Sequence, residues 1–70
     1  MENRLRELRE AAGMTQEDLA AKVAVSRQTI ISLEKGKYNP SIVLAYELAR
    51  VFSLAIEEVF IFRDEVNKDE

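Results

Sequence analysis

Seventy residues, 47% of them hydrophobic and 33% charged, make one small globular domain that buries only about 60% of its unfolded surface and would gain from a partner subunit. Cysteine and histidine are both absent, which excludes disulfides, thiolate zinc sites, thiol nucleophiles and the usual general base, and leaves any metal or hydrolytic chemistry to carboxylates alone. The net charge of −3 is uneven, with three basic and three acidic side chains in residues 1–14, four against three in 15–40, and three against seven in 41–70, so the total does not exclude a nucleic-acid-facing surface in the first two thirds.

The N-terminus, "MENRLRELRE", is charged throughout and reads as neither a signal peptide nor a membrane anchor. No apolar run approaches the roughly 18 residues of a membrane span, so a cytoplasmic protein with no membrane partner is expected. Leu5, Leu8 and Ala12 recur at i, i+3 and i+7, which predicts a helix over 3–12 that stops at Gly13. Thr15 is placed as an N-cap, with Asp18 three residues on to complete a capping box and Met14 and Leu19 as a hydrophobic staple. Leu19, Ala20 and Val23 form the apolar stripe of a second helix, 16–23. Ser26 repeats the cap, with Val25 and Ile30 as staple partners, and a third helix is predicted from Arg27 to Lys35, ending at Gly36. Only Ala24, Val25 and Ser26 separate the second and third helices, which suits a tight, angled pair.

"KYNPS" is a turn, because Pro40 disfavours helix at Asn39 and Ser41 caps the next helix. Leu44, Ala45, Leu48, Ala49 and Phe52 line this fourth helix, 42–52, and Ile56, Val59 and Phe60 a fifth, 56–60. In "EVFIFRDEV", Phe60 and Phe62 alternate with Val59 and Ile61, which fits either an edge strand or a ragged helix end. A strand here would call for pairing with a second copy, since an otherwise helical domain offers it no neighbour. Residues 1–62 are thus expected to form the domain and 63–70 an acidic, partly disordered tail.

The third helix has a packed back, Ile30 and Leu33, and a leading edge of long hydrogen-bonding side chains, Arg27, Gln28 and Thr29. A helix fits the major groove of B-DNA, where arginine can fork onto guanine, glutamine onto adenine, and a threonine methyl can meet a thymine methyl. In "LRELREAAGMTQEDLAAKV", "VSRQTIISLEKGKYNPS" and "LARVF" followed by "IEEVF", the chain resembles the Cro and phage-repressor type of helix-turn-helix regulator, the Xre-like family, over residues 3–60. That resemblance implies an all-α, lambda-repressor-like, compact five-helix bundle whose third helix enters the major groove, acting as a homodimer on a palindromic double-stranded operator. Carried over position by position, it makes Arg27, Gln28 and Ser32 the base-edge readers with Thr29 beside them. Thr15 and Gln16 match phosphate-contacting positions, and Lys35, Lys37 and Asn39 match the loop that clamps the next phosphates. Arg9 and Glu34 match a partly buried ion pair. Dimers in the family pair through the fifth helix and the residues after it, here Val59, Phe60, Ile61 and Phe62, with a short C-terminal strand as one form of that contact.

The chain departs from the family pattern at Ala24, where glycine is usual, and at Ser53 and Ala55, where glycine and serine are usual. A non-glycine residue in the left-handed region costs roughly 1–2 kcal/mol, and alanine for serine at an N-cap about 0.5–2 kcal/mol, so strain is expected in both turns and a weak start to the fifth helix.

Plainer readings stand beside these. Arg27, Gln28, Thr29 and Ser32 could be an ordinary solvated face, Gln16 could be simply exposed, and Lys35 and Lys37 could complement a helix dipole. Tyr38 either packs on the turn or reaches the DNA backbone. Glu57, Glu58, Asp64 and Glu65 resemble a catalytic carboxylate set only in composition, and nothing near them supplies a nucleophile or metal geometry. A sequence-specific DNA-binding regulator, acting as a repressor, is the leading function. An antitoxin-like module that binds a partner protein through the acidic tail and represses its own operon is the alternative, and a carboxylate-based enzyme ranks last. No cofactor, metal or small-molecule ligand is expected.

Overall fold

The computed structural model describes residues 1–62, and among them five helices succeed one another: α1 (Leu5–Ala11), α2 (Gln16–Lys22), α3 (Arg27–Glu34), α4 (Ile42–Val51) and α5 (Ile56–Val59). Three of them start where a short hydroxyl side chain can replace a missing intrahelical partner. Thr15 Oγ1 accepts from the Asp18 N–H at 3.0 Å while Asp18 Oδ2 accepts from the Thr15 N–H at 3.0 Å, which closes the capping box. Ser26 Oγ accepts from the Thr29 N–H at 3.2 Å, and Ser41 Oγ from the Leu44 N–H at 3.1 Å. Ala55 has no such oxygen, and α5 starts on the other half of the device: Glu58 Oε1 accepts from the Ala55 N–H at 2.7 Å. The expected weakness of that start is thus offset from within the helix.

The first four helices end alike. The residue after the cap turns left-handed, and the next N–H reaches back five residues, from Met14 to Arg9, Val25 to Ala20, Lys37 to Ser32 and Leu54 to Ala49. Glycine takes the left-handed position after α1 and α3, whereas Ala24 and Ser53 take it after α2 and α4 with φ 58 each. The strain expected at these two departures is therefore present in the backbone.

The buried apolar set comprises Leu5, Leu19, Ala20, Val23, Ile30, Leu33, Ala45, Leu48, Ala49, Val59 and Phe60, drawn from all five helices and the residues just after α2 and α5. Alanine at 20, 45 and 49 lets helix backbones approach. No helix of the described residues is long and apolar enough to cross a membrane.

Both chain ends differ from expectation. α1 begins at Leu5 rather than residue 3, because Asn3 lies extended in an antiparallel bridge with Phe60. The Arg4 N–H donates to the Val59 carbonyl at 2.8 Å and the Ile61 N–H to the Glu2 carbonyl at 2.9 Å. The segment after α5 is extended, but its partner is the N-terminus of the same chain, so the pairing expected of a second copy is made internally. The burial of this segment bears on the residues assigned to dimerisation. Val59 and Phe60 are 0% and 1% exposed, enclosed by their own chain, and only Ile61 and Phe62 of the four assigned residues stay half-exposed. The acidic tail, 63–70, lies outside the described residues.

Candidate nucleic-acid interface

Ile30 and Leu33, both 0% exposed, hold the back of α3 in the core. Next in the chain is Glu34, whose carboxylate is 5% exposed and meets an arginine from α1. Arg9 Nε donates to Glu34 Oε2 at 2.6 Å and Nη2 to Oε1 at 3.3 Å, while Nη1 donates to the Met14 carbonyl at 2.9 Å. The hydrogen bond with Glu34 outweighs burial and pushes the guanidinium pKa further up, so the arginine stays charged. Gln16 Nε2 donates to Glu34 Oε1 at 3.2 Å, which brings the start of α2 into the same network. Three helices are therefore pinned at one carboxylate, and this fixes the orientation of α3.

In the first turn of α3, Arg27 and Gln28 are exposed, Arg27 on the same side of the helix as Glu34, and Thr29 and Ser32 are half-buried. Thr29 Oγ1 is 3.0 Å from Ser26 Oγ, so its hydroxyl is engaged at the cap and its methyl is the group left for an apolar contact. The Thr15 hydroxyl accepts from the Asp18 N–H at the exposed start of α2. Gln16 spends one of its two amide N–H groups on Glu34 and keeps the second as a donor for a phosphate.

An open cleft of about 760 Å³ runs between α1, the start of α2 and α3. Its walls include Thr15, Gln16, Arg27 and Lys35 from the expected site, together with the Arg9–Glu34 pair; Gln28, Ser32, Lys37 and Asn39 do not line it. Lys37 and Asn39 are exposed in the loop between α3 and α4. Once Arg9 and Glu34 cancel, Arg6, Arg27 and Lys35 face a single carboxylate, Glu17. A chain of net charge −3 thus presents a locally cationic groove beside the exposed turn of α3, suited to an anionic backbone.

Arg6 also lines the cleft and was given no role from sequence. It pairs with Glu10 at 3.2 Å on a largely exposed surface, a contact too screened to hold it from another anion. Its signal was its place three residues before Arg9 on one face of α1.

The family model described as Helix-turn-helix matches residues 5–59, from the first residue of α1 to the last of α5. An HTH-type transcriptional regulator of Archaeoglobus fulgidus is 63% identical over 65 residues, covering 93% of this chain and 93% of that protein. Another of Methanocaldococcus jannaschii is 52% identical over 65 residues, covering 93% of this chain and 98% of its own length. Among solved structures, the restriction-modification controller protein C.AhdI from Aeromonas hydrophila superposes with a TM-score of 0.74 at 38% identity, covering 81% of this chain and 86% of that one.

Proposed function

The chain belongs to the helix-turn-helix family of DNA-binding transcriptional regulators, a non-enzymatic group, and from that premise we propose that it is a sequence-specific cytoplasmic repressor that occupies a two-fold-symmetric operator as a homodimer. The observation that carries this reading is the exposed pair Arg27 and Gln28 on the first turn of a helix locked from behind, beside a cationic cleft. Two copies of α3 about one DNA turn apart, roughly 34 Å, enter successive major grooves. Arg27, Gln28, Thr29 and Ser32 then read base edges. Thr15, Gln16, Lys35, Lys37 and Asn39, with Arg6 added, hold the phosphates and set register without reading sequence.

Selection of bound duplexes from a randomised library at two salt concentrations tests this. The expected result is a palindrome, with Arg27→Ala costing about 1–3 kcal/mol and relaxing preference at one position of each half-site. Weak, salt-sensitive binding that enriches no sequence would remove the operator-binding role. An Arg27→Ala loss equal for every sequence would remove Arg27 from the base readers.

A further inference from the structure

Residues Met1–Arg4 touch three parts of the fold at once. Asn3 Oδ1 accepts from the Leu5 N–H at 3.0 Å and so opens α1, while Asn3 Nδ2 donates to the Leu33 carbonyl at 2.8 Å and the Met1 carbonyl at 3.2 Å. The Met1 nitrogen donates to the Gly36 carbonyl at 2.9 Å, a second hold on the end of α3. That approach needs the glycine, because a Cβ at 36 would lie 3.2 Å from the Met1 carbonyl oxygen, on a backbone with φ 72. On the other side, the backbone bonds to Val59 and from Ile61 are joined by Arg4 Nη1, which donates to the Glu58 carbonyl at 3.1 Å.

The bond to Leu33 is not needed to complete α3. Its carbonyl already accepts from the Gly36 N–H at 2.9 Å in the helix-ending turn. Nor does capping α1 need a donor, since Oδ1 alone meets the Leu5 N–H. The Asn3 carboxamide therefore does something besides terminating helices: it joins the end of α3 to a segment whose other edge is fixed to residues 58–61. Asparagine suits the place because an ionised aspartate has no donor and a serine hydroxyl stops an atom short.

We propose that Asn3 is a positioning residue that couples the extended segment after α5 to the seat of α3, and through that rigid eight-residue helix to the reach of Arg27 and Gln28. A helix of eight residues is about 12 Å long, so a shift at its last turn is carried to its first. The coupling rests on the DNA-reading role proposed for α3. It places the half-exposed Ile61 and Phe62 one hydrogen-bonded segment away from the base-reading helix, so that whatever covers them acts on sequence discrimination as well as on assembly.

The test uses the full chain with Asn3→Asp, which keeps the acceptor for the Leu5 N–H and removes the donor to Leu33. Affinity for the selected duplex is divided by affinity for a scrambled duplex of equal length, at one salt concentration and well below the unfolding midpoint. The same samples are followed by amide hydrogen exchange. The ratio is expected to fall by about three-fold or more, within the range of mutations that alter coupling, while scrambled-duplex affinity and its salt slope stay unchanged. Exchange at the Gly36 and Ile61 amides should rise together. Ala45→Gly, destabilised in α4 away from this segment, should leave the ratio alone although its midpoint falls. If Asn3→Asp does not fold, Asn3→Ser takes its place, with the hydroxyl serving the Leu5 N–H. A smaller change in the ratio overturns the coupling whatever happens to the midpoint. Should the unsubstituted protein show no sequence preference, the DNA-reading role fails, and exchange decides the tie: joint loosening at Gly36 and Ile61 sustains it, and loosening at neither or at one alone overturns it.

Discussion

Ala24 and Ser53 hold φ 58 where the helix-ending turn asks for a residue without a Cβ. Glycine at either site would relieve roughly 1–2 kcal/mol of steric cost, but would enlarge the unfolded ensemble by about 0.4–1 kcal/mol. The first term is the larger, so Ala24→Gly and Ser53→Gly should each stabilise the domain by about 0.5–1 kcal/mol in urea unfolding. A lowered midpoint would show that the methyl or hydroxymethyl group packs more usefully than the strain costs. Asp18 gives a second prediction at this scale. The Thr15 N–H, and then its hydroxyl, hold the Asp18 carboxyl below its usual pKa. A depressed folded-state value contributes stability above the unfolded pKa, about 3.9, and that stability is lost as pH falls through the folded value. Asp18→Asn, which accepts the same bond without titrating, should therefore melt below the unsubstituted protein at neutral pH and converge with it as pH falls through the folded-state value. A gap of constant size across that range would mean that the charge adds nothing to the cap.

At the scale of elements, the seat of α3 is shared between apolar burial and one ion pair. Arg9 and Glu34 are 10% and 5% exposed, so removing one partner leaves the other charged and desolvated. Glu34→Ala should cost about 3–5 kcal/mol, more than an ordinary surface substitution, while Arg9→Met combined with Glu34→Leu should recover much of it. Unfolding midpoints of the two variants, set against the unsubstituted protein, decide this. A double variant no better than Glu34→Ala would show that the Met14 carbonyl and Gln16, which share the network, need a charged partner. Much at this scale was legible beforehand. Thr15, Ser26 and Ser41 marked their helix starts because a cap acts within three residues, and the observed boundaries of α2, α3 and α4 differ from the expected ones only by counting the cap residue in or out. The start of α1 was not legible, because Asn3 answers to Phe60 rather than to its own neighbours.

For the whole molecule, the enclosure of Val59 and Phe60 separates folding from assembly. Phe60→Ala should cost about 3–5 kcal/mol, as for a large side chain lost from a closed core, and should lower the unfolding midpoint at any protein concentration. Phe62→Asp should instead weaken self-association in sedimentation while the chain stays folded. Self-association as strong in Phe62→Asp as in the unsubstituted protein would take Phe62 out of the proposed dimer contact. On the side proposed to face DNA, the exposure of Arg27 and Gln28 could be read from their place after Ser26, whereas the place of Arg6 in the cleft could not. Its role depends on α1 lying across the cleft from Arg27 and Lys35, and the i, i+3 spacing with Arg9 says only that the two share a face.

The sequence alone determined whatever is decided over a few residues. Apolar residues three and four apart, with their caps, set the helices, glycine-like turns their ends, and Arg27 and Gln28 a chemically distinctive polar edge. Even the extended character of residues 60–62 was among its readings. Only the tertiary structure decided what those pieces meet. The pairing of Glu2–Arg4 with Val59–Ile61 and the bond from Asn3 to Leu33 join positions 30 to 59 residues apart in the chain. The first of these is made by backbone N–H and C=O groups, which every non-proline residue carries, so no residue type marks its partner in advance.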